Sequence, residues 1–168
     1  PRYVTVLGDD PLSGWMADCW RHEGIDCSHV RSASGELPGL YFIDTDDDGE
    51  RSFFYWRDRA PVKRLFDNPS DASDLFAALG NMSMLYLSGI TLAVLTEASR
   101  ERLLEWLPRY RQGGGQVAFD NNFRSKLWRS LEDAKQTYKR MYALTDLALP
   151  TLEDEVALFG DMSAVDLI

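Results

Sequence analysis

The chain has 168 residues, with 18 Lys and Arg against 27 Asp and Glu, for a formal net charge of -9. Hydrophobic residues make up 45% and charged residues 27%, a globular balance that excludes extensive disorder at a length suited to one domain. The acidity argues against nucleic acid or a membrane surface as partner, and no apolar run reaches the ~18 residues of a membrane span. An anionic substrate stays open, because local arginines can dominate a pocket while distant charges are screened within about 8 Å.

Pro1-Arg2-Tyr3-Val4 carries no signal-peptide pattern, and a start inside a strand is what a fragment would show. Residues 3–7 read as a short buried strand. Residues 13–23 form a helix with Trp15, Met16, Cys19 and Trp20 at helical spacing, Ser13 as its cap and Gly24 as its stop. Residues 39–46 and 50–57 are two β-rich runs around Asp47-Asp48-Gly49, a hairpin turn with Gly at the left-handed position. Residues 73–79 read as helix, 84–88 as strand, and 97–111 as an amphipathic helix with the stripe Leu103, Leu104, Leu107. Strand 116–119, helix 131–144, strand 146–149 and helix 153–159 complete a β-α-β-α-β-α order. That order implies a mostly parallel α/β sheet with flanking helices, from which the hairpin at 39–57 protrudes as a lid.

Three patterns imitate sites and fail. Cys19, His22, Cys27 and His29 bring soft ligands together, but Cys-x2-His-x4-Cys-x-His fits no common zinc site, and two unpaired thiols suit a reducing cytoplasm. The run 44–49 opens like a calcium loop, yet its twelfth position is Tyr55 where a bidentate acid is required. Gly113-Gly114-Gly115 lies between a helix and a strand, the reverse of a phosphate-binding order, and reads as a helix stop.

Three segments remain. With Asp46 opposite Glu50, Tyr41 falls opposite Tyr55, and alternation puts Arg57 on their face, with Phe42, Phe54 and Trp56 on the other. Two phenols and a guanidinium suit sugar hydroxyls plus a carboxylate; packing of both faces, with Arg57 exposed, is the competing reading. Asp120-Asn121-Asn122-Phe123-Arg124 follows a strand, where open parallel sheets bind ligands; Arg124 is placed for a carboxylate or phosphate, and loop and cap roles for Asp120 and Asn122 compete with that. Thr151 to Glu155 follows the last strand, with Thr151 as helix cap and Asp154 as a loose capping-box partner, or with acids that order water around magnesium.

Taken in order, LGDDPLSGWMADCWRHEGID, PGLYFIDTDDDGERSFFYWR, LYLSGITLAVLTEASRERLL, FDNNFRSKLW and TLEDEVALFG resemble the ribokinase-like carbohydrate kinases, most specifically their 2-keto-3-deoxygluconate kinase branch. The resemblance implies a partial ribokinase-like fold across residues 1–168 and transfer of the ATP γ-phosphate, with Mg2+, to the 6-hydroxyl of 2-keto-3-deoxygluconate. It places Tyr41, Tyr55, Trp56, Arg57 and Arg124 at the substrate, and Asn122, Phe123 and Arg124 at the nucleotide phosphates. Thr151 and Asp154 stand at Asn-x-x-Glu positions near the metal. The family's Gly-Ala-Gly-Asp, which carries the catalytic base, has no counterpart in the 168 residues, and neither has its Gly-Gly sugar-binding segment. The expectation is therefore a cytoplasmic sugar-acid kinase fragment, inactive alone, with an unpaired sheet edge or exposed apolar surface and pairing of copies through the lid. The alternatives are a stand-alone sugar-acid-binding or dimerisation module, and a related fructokinase or ribokinase.

Overall fold

The computed structural model describes residues 1–161 and Ser163. By internal contacts the chain divides into two units, Pro1–Leu65 and Phe66–Ile168.

In the first unit, strand β1 (Arg2–Gly8) pairs in parallel with β2 (Asp26–Ala33) across helix α1 (Pro11–His22). The helix starts earlier than the apolar spacing predicts. Asp10 is its N-cap, accepting from the N–H groups of Leu12 at 3.0 Å and Ser13 at 3.2 Å, with Pro11 preset for the first turn. Ser13, expected as the cap, is instead buried inside the helix, where its hydroxyl accepts from the Gly8 N–H at 2.9 Å. Strand β2 was not predicted.

Strands β3 (Leu40–Thr45) and β4 (Arg51–Trp56) form an antiparallel ribbon in the expected register, with Tyr41 opposite Tyr55 and Phe42 opposite Phe54. The turn closes through the Asp46 N–H donating to the Glu50 carbonyl at 3.0 Å, with Gly49 at φ 83°.

The second unit is built on the parallel sheet β5 (Met84–Ser88), β6 (Gln116–Asp120) and β7 (Leu147–Leu149), with β6 central. Helix α2 (Pro69–Leu79) begins at the Asn68 cap, ahead of the expected start at 73, because Asn68-Pro69 supplies both a capping side chain and a first-turn proline. A short α3 (Gly89–Val94), which the sequence did not suggest, precedes α4 (Glu97–Gln112); α5 (Leu131–Tyr142) and α6 (Leu152–Phe159) follow.

The predicted stripe of α4 is core: Leu103, Leu104 and Leu107 are buried, as are Val117 and Phe119 on β6 and Tyr138 and Met141 on α5. Each such leucine contributes about 2 kcal/mol by leaving water. The sheet face opposite Phe119 exposes Met84, Tyr86, Leu147 and Leu149. No helix among the described residues is long and apolar enough to cross a membrane.

Candidate functional site

Two groups of the predicted side chains can be built from the fold, one in each unit.

On the hairpin, the period-2 pleat puts Tyr41, Phe53 and Tyr55 on one face, with ring centroids 6.0 to 6.3 Å apart. Just beyond the end of β4, Arg57 lays its guanidinium carbon 4.2 Å from the centre of the Tyr55 ring. A cation on an aromatic face loses little of its charge to the protein and keeps N–H donors for a ligand. Both phenol-bearing rings are exposed, so the face is available to solvent. Trp56 stands on the reverse face, edge-on to Phe42 at 5.4 Å, as strand alternation dictates. The ribbon thus has a phenol–guanidinium face and an apolar face.

At the carboxyl end of β6, the chain passes from Asp120 into Asn121, Asn122, Phe123 and Arg124. Asp120 accepts from the Tyr86 hydroxyl at 2.9 Å. Asn122 has φ 28°, a left-handed conformation that Asn tolerates better than most residues, and its buried Oδ1 has no hydrogen-bond partner. Phe123 is buried edge-on against Tyr138 at 5.9 Å and anchors the segment. Arg124 donates to the Phe123 carbonyl at 2.7 Å and meets Asp154 at 3.4 Å, while about half of its side chain stays exposed. Arg124 and Asp154 therefore share one rim, a cation with free donors beside a carboxylate on the first turn of α6.

Below the rim lies a buried polar network that sequence reasoning missed. Asn121, fully buried, donates to the Thr151 carbonyl at 3.1 Å and to Glu155 Oε1 at 3.0 Å, and accepts from the Thr151 N–H at 3.2 Å. Glu155 also accepts from the Tyr142 hydroxyl, and the Tyr138 hydroxyl donates to the Asn121 carbonyl at 2.6 Å. Burial first, and the nearby carboxylates second, push both phenols well above their ordinary range, so they stay protonated donors. Thr151 occupies the N-cap position of α6 but makes no side-chain cap bond; the backbone there is held by Asn121 instead. One signal was available: Glu155 falls three residues after Leu152 and three before Leu158, on the inward face of the helix.

Among the described residues, no three carboxylate, imidazole or thiolate side chains converge into an all-protein metal cage, and Asp154 is the carboxylate that the rim offers. Cys19, His22, Cys27 and His29 likewise form no such group. The donor set at the rim fits an anion. Two concavities of about 380 and 300 Å³ are lined by Arg111 and Asp146 and by Arg100 and Trp128 respectively; neither includes Asn122 or Arg124.

The sequence profile described as "pfkB family carbohydrate kinase" matches residues 1–167. A 2-dehydro-3-deoxygluconokinase from Escherichia coli K12 is 46% identical over 99% of this chain and 54% of its own length. A 2-dehydro-3-deoxygluconokinase from Dickeya dadantii is 45% identical over 96% of this chain and 52% of its own. A crystal structure of a PfkB family carbohydrate kinase from Listeria grayi superposes with a TM-score of 0.80 at 27% identity, covering 97% of this chain and 49% of that one. The chain spans about half the length of the curated relatives it matches.

Proposed function

The chain belongs to the pfkB family of carbohydrate kinases, and from that premise we propose that it carries the lid and part of the phosphate site of a sugar-acid kinase acting on 2-keto-3-deoxygluconate (2-dehydro-3-deoxygluconate). The observation that carries the substrate is the Arg57 guanidinium stacked 4.2 Å over Tyr55, on the face shared with Tyr41. A carboxylate meets the guanidinium in a charge-assisted pair, and the two phenols serve sugar hydroxyls as donors or acceptors. Trp56 supports the ribbon from its reverse face, where Phe42, Phe54 and Trp56 offer apolar area to a second copy.

In the reaction, the oxygen of the substrate 6-hydroxyl attacks the γ-phosphorus of ATP. The bond from that phosphorus to the β-phosphate oxygen breaks, ADP leaves, and a base takes the hydroxyl proton. Arg124 supplies positive charge to the phosphoryl oxygens or to the sugar acid. Asn122 and Phe123 fix the segment that presents Arg124. Magnesium, when bound with the nucleotide, would supply charge neutralisation at the phosphates, and Asp154 is the rim carboxylate that would order its water shell. The base is not among these residues, because no Gly-x-Gly-Asp occurs in the sequence. The two free thiols and the kinase chemistry suit a cytoplasmic setting.

Calorimetric titration of residues 1–168 with 2-keto-3-deoxygluconate and with fructose tests this reading. Arg57→Ala should weaken binding of the acid at least 10-fold and leave the neutral ketose nearly unchanged, a difference expected for one charge-assisted pair. Equal losses for both sugars would remove the acid from the proposal. Turnover of the acid with ATP by residues 1–168 alone would show that the chain supplies its own base.

A further inference from the structure

We propose that Glu155 is a positioning residue for the Arg124 rim, acting through Asn121. The inference rests on the reading of that rim as an anion site, and it concerns a residue that neither the resemblance nor the motif spacing singles out.

A glutamate in the first turn of a helix ordinarily faces solvent and complements the helix dipole. Glu155 stands in that first turn but is turned away from solvent. It is 5% exposed, and its Oε1 receives the Asn121 amide at 3.0 Å together with the Tyr142 hydroxyl. Burying a carboxylate is costly unless its lone pairs are used, so a carboxylate kept here must be held by, and must hold, its two donors.

The carboxylate removes a choice from Asn121. With its Nδ2 committed to Glu155 and to the Thr151 carbonyl, Oδ1 is the atom that receives the N–H groups of Thr151 at 3.2 Å and of Asn122 at 2.8 Å. The amide can therefore sit in one orientation only, since a flip would aim an oxygen at a carboxylate and an NH2 at two N–H donors. That orientation ties the backbone at Asn122, with its left-handed φ of 28°, to the first residue before α6. Arg124 and Asp154 project from the two strands of chain so joined, and meet at 3.4 Å. Tyr138 and Tyr142 complete the support from α5, donating to the Asn121 carbonyl and to Glu155.

The test uses three variants of residues 1–168 and two readouts. Glu155→Gln keeps an acceptor oxygen for Tyr142 and Asn121, Glu155→Ala removes it, and Tyr142→Phe removes one donor without touching the carboxylate. Amide hydrogen exchange is followed at Asn122, Phe123 and Arg124, with Leu103 to Leu107 of α4 as internal control, and affinity for magnesium–ATP is measured by calorimetry. The expected result is exchange at the rim at least 10-fold faster in Glu155→Ala and several-fold faster in Tyr142→Phe, the α4 amides unchanged, and recovery in Glu155→Gln. Magnesium–ATP affinity should fall 10-fold in Glu155→Ala and return with Gln. Exchange that rises equally in α4 and at the rim, or that does not rise at all, overturns the positioning role, and so does Gln behaving like Ala. If the unaltered chain binds no magnesium–ATP, the anion-site reading fails, while the exchange pattern still decides what Glu155 does.

Discussion

Asn121 grips Thr151 by both of its backbone groups, donating to the carbonyl at 3.1 Å and accepting from the N–H at 3.2 Å. A side-chain amide in this pose replaces the backbone pairing that a longer β7 would provide, and it does so 30 residues away in sequence. Asn121→Ala should cost about 3 kcal/mol, because it takes a partner from three backbone groups, the Thr151 carbonyl and the N–H groups of Thr151 and Asn122, and from a buried carboxylate. Asn121→Asp should cost at least as much at neutral pH, since it sets a second carboxylate against Glu155. The introduced pair would hold a proton with a raised pKa in the folded state. Its contribution is therefore favourable below the ordinary carboxylate range and lost as pH rises, so the Asp variant should regain stability towards pH 4 while the Ala variant does not. Urea midpoints at pH 4 and pH 7 check both.

Gly89 opens α3 with no room for a side chain. A Cβ there would lie 1.8 Å from the Tyr138 hydroxyl and 1.9 Å from the Asn121 carbonyl, two atoms already bonded to each other. Neither can yield without breaking that bond, so Gly89→Ala should destabilise by about 3 kcal/mol, at the upper end for overpacking. Pairing it with Tyr138→Phe should recover part of the loss if the hydroxyl is the obstacle; a double-mutant cycle on thermal unfolding measures the recovery.

Arg124 separates binding from stability. Its pair with Asp154 is largely exposed at 3.4 Å, a geometry worth at most about 1 kcal/mol. Arg124→Gln should leave the melting temperature within a few degrees of the parent, yet weaken magnesium–ATP at least 10-fold by calorimetry, as expected for loss of a charged donor. A large drop in melting temperature would make Arg124 a structural residue.

Asp26 gives the first unit an acid-sensitive joint. The Ser28 N–H at 2.8 Å and its hydroxyl, followed by the Arg2 guanidinium at 2.6 Å, hold its pKa down at about 2. A carboxyl with a lowered folded pKa contributes stability that is complete above its ordinary value near 3.8 and is lost as pH falls towards 2. Asp26→Asn should therefore flatten the stability profile between pH 4 and 2, and carbon-detected NMR of the parent should place the Asp26 midpoint near 2. A midpoint near 3.8 would mean that the Ser28 and Arg2 contacts do not persist in solution.

What could be read from the sequence followed local periodicity. The hairpin register emerged because period-2 alternation and a turn ending in Gly49 admit one pairing, and the stripe Leu103, Leu104, Leu107 emerged because α4 spans four turns. β2 escaped because Asp26 to Ala33 mixes Cys, Ser, His and Arg on a half-exposed strand, with no alternation to detect. α3 escaped because six residues containing Ile90, Thr91 and Val94 look more like a strand, and only the reciprocal capping of Ser88 and Thr91 turns them into helix. Pro11 and Pro69 marked the true starts of two helices, and the apolar pattern outweighed them in the reading. The segments 120–124 and 151–155 stood out by their places after strands; the pairing of Asn121 with Glu155 did not, since it exists only once β6 and α6 are neighbours.

The two ends of β6 answer to different demands. At the amino end, Asp146 accepts from the Val117 N–H at 2.8 Å, and the Arg111 guanidinium, held at 2.5 Å, keeps its carboxyl below the ordinary range. Every group in that fastening is satisfied within the protein. At the carboxyl end, Arg124 keeps spare donors and Asn122 an unmet acceptor. Substitutions near Asp146 should thus be felt as changes in how long the fold survives, and those near Arg124 as changes in what it holds. On the proposed reading, durability and recognition would fall at opposite ends of a single five-residue strand.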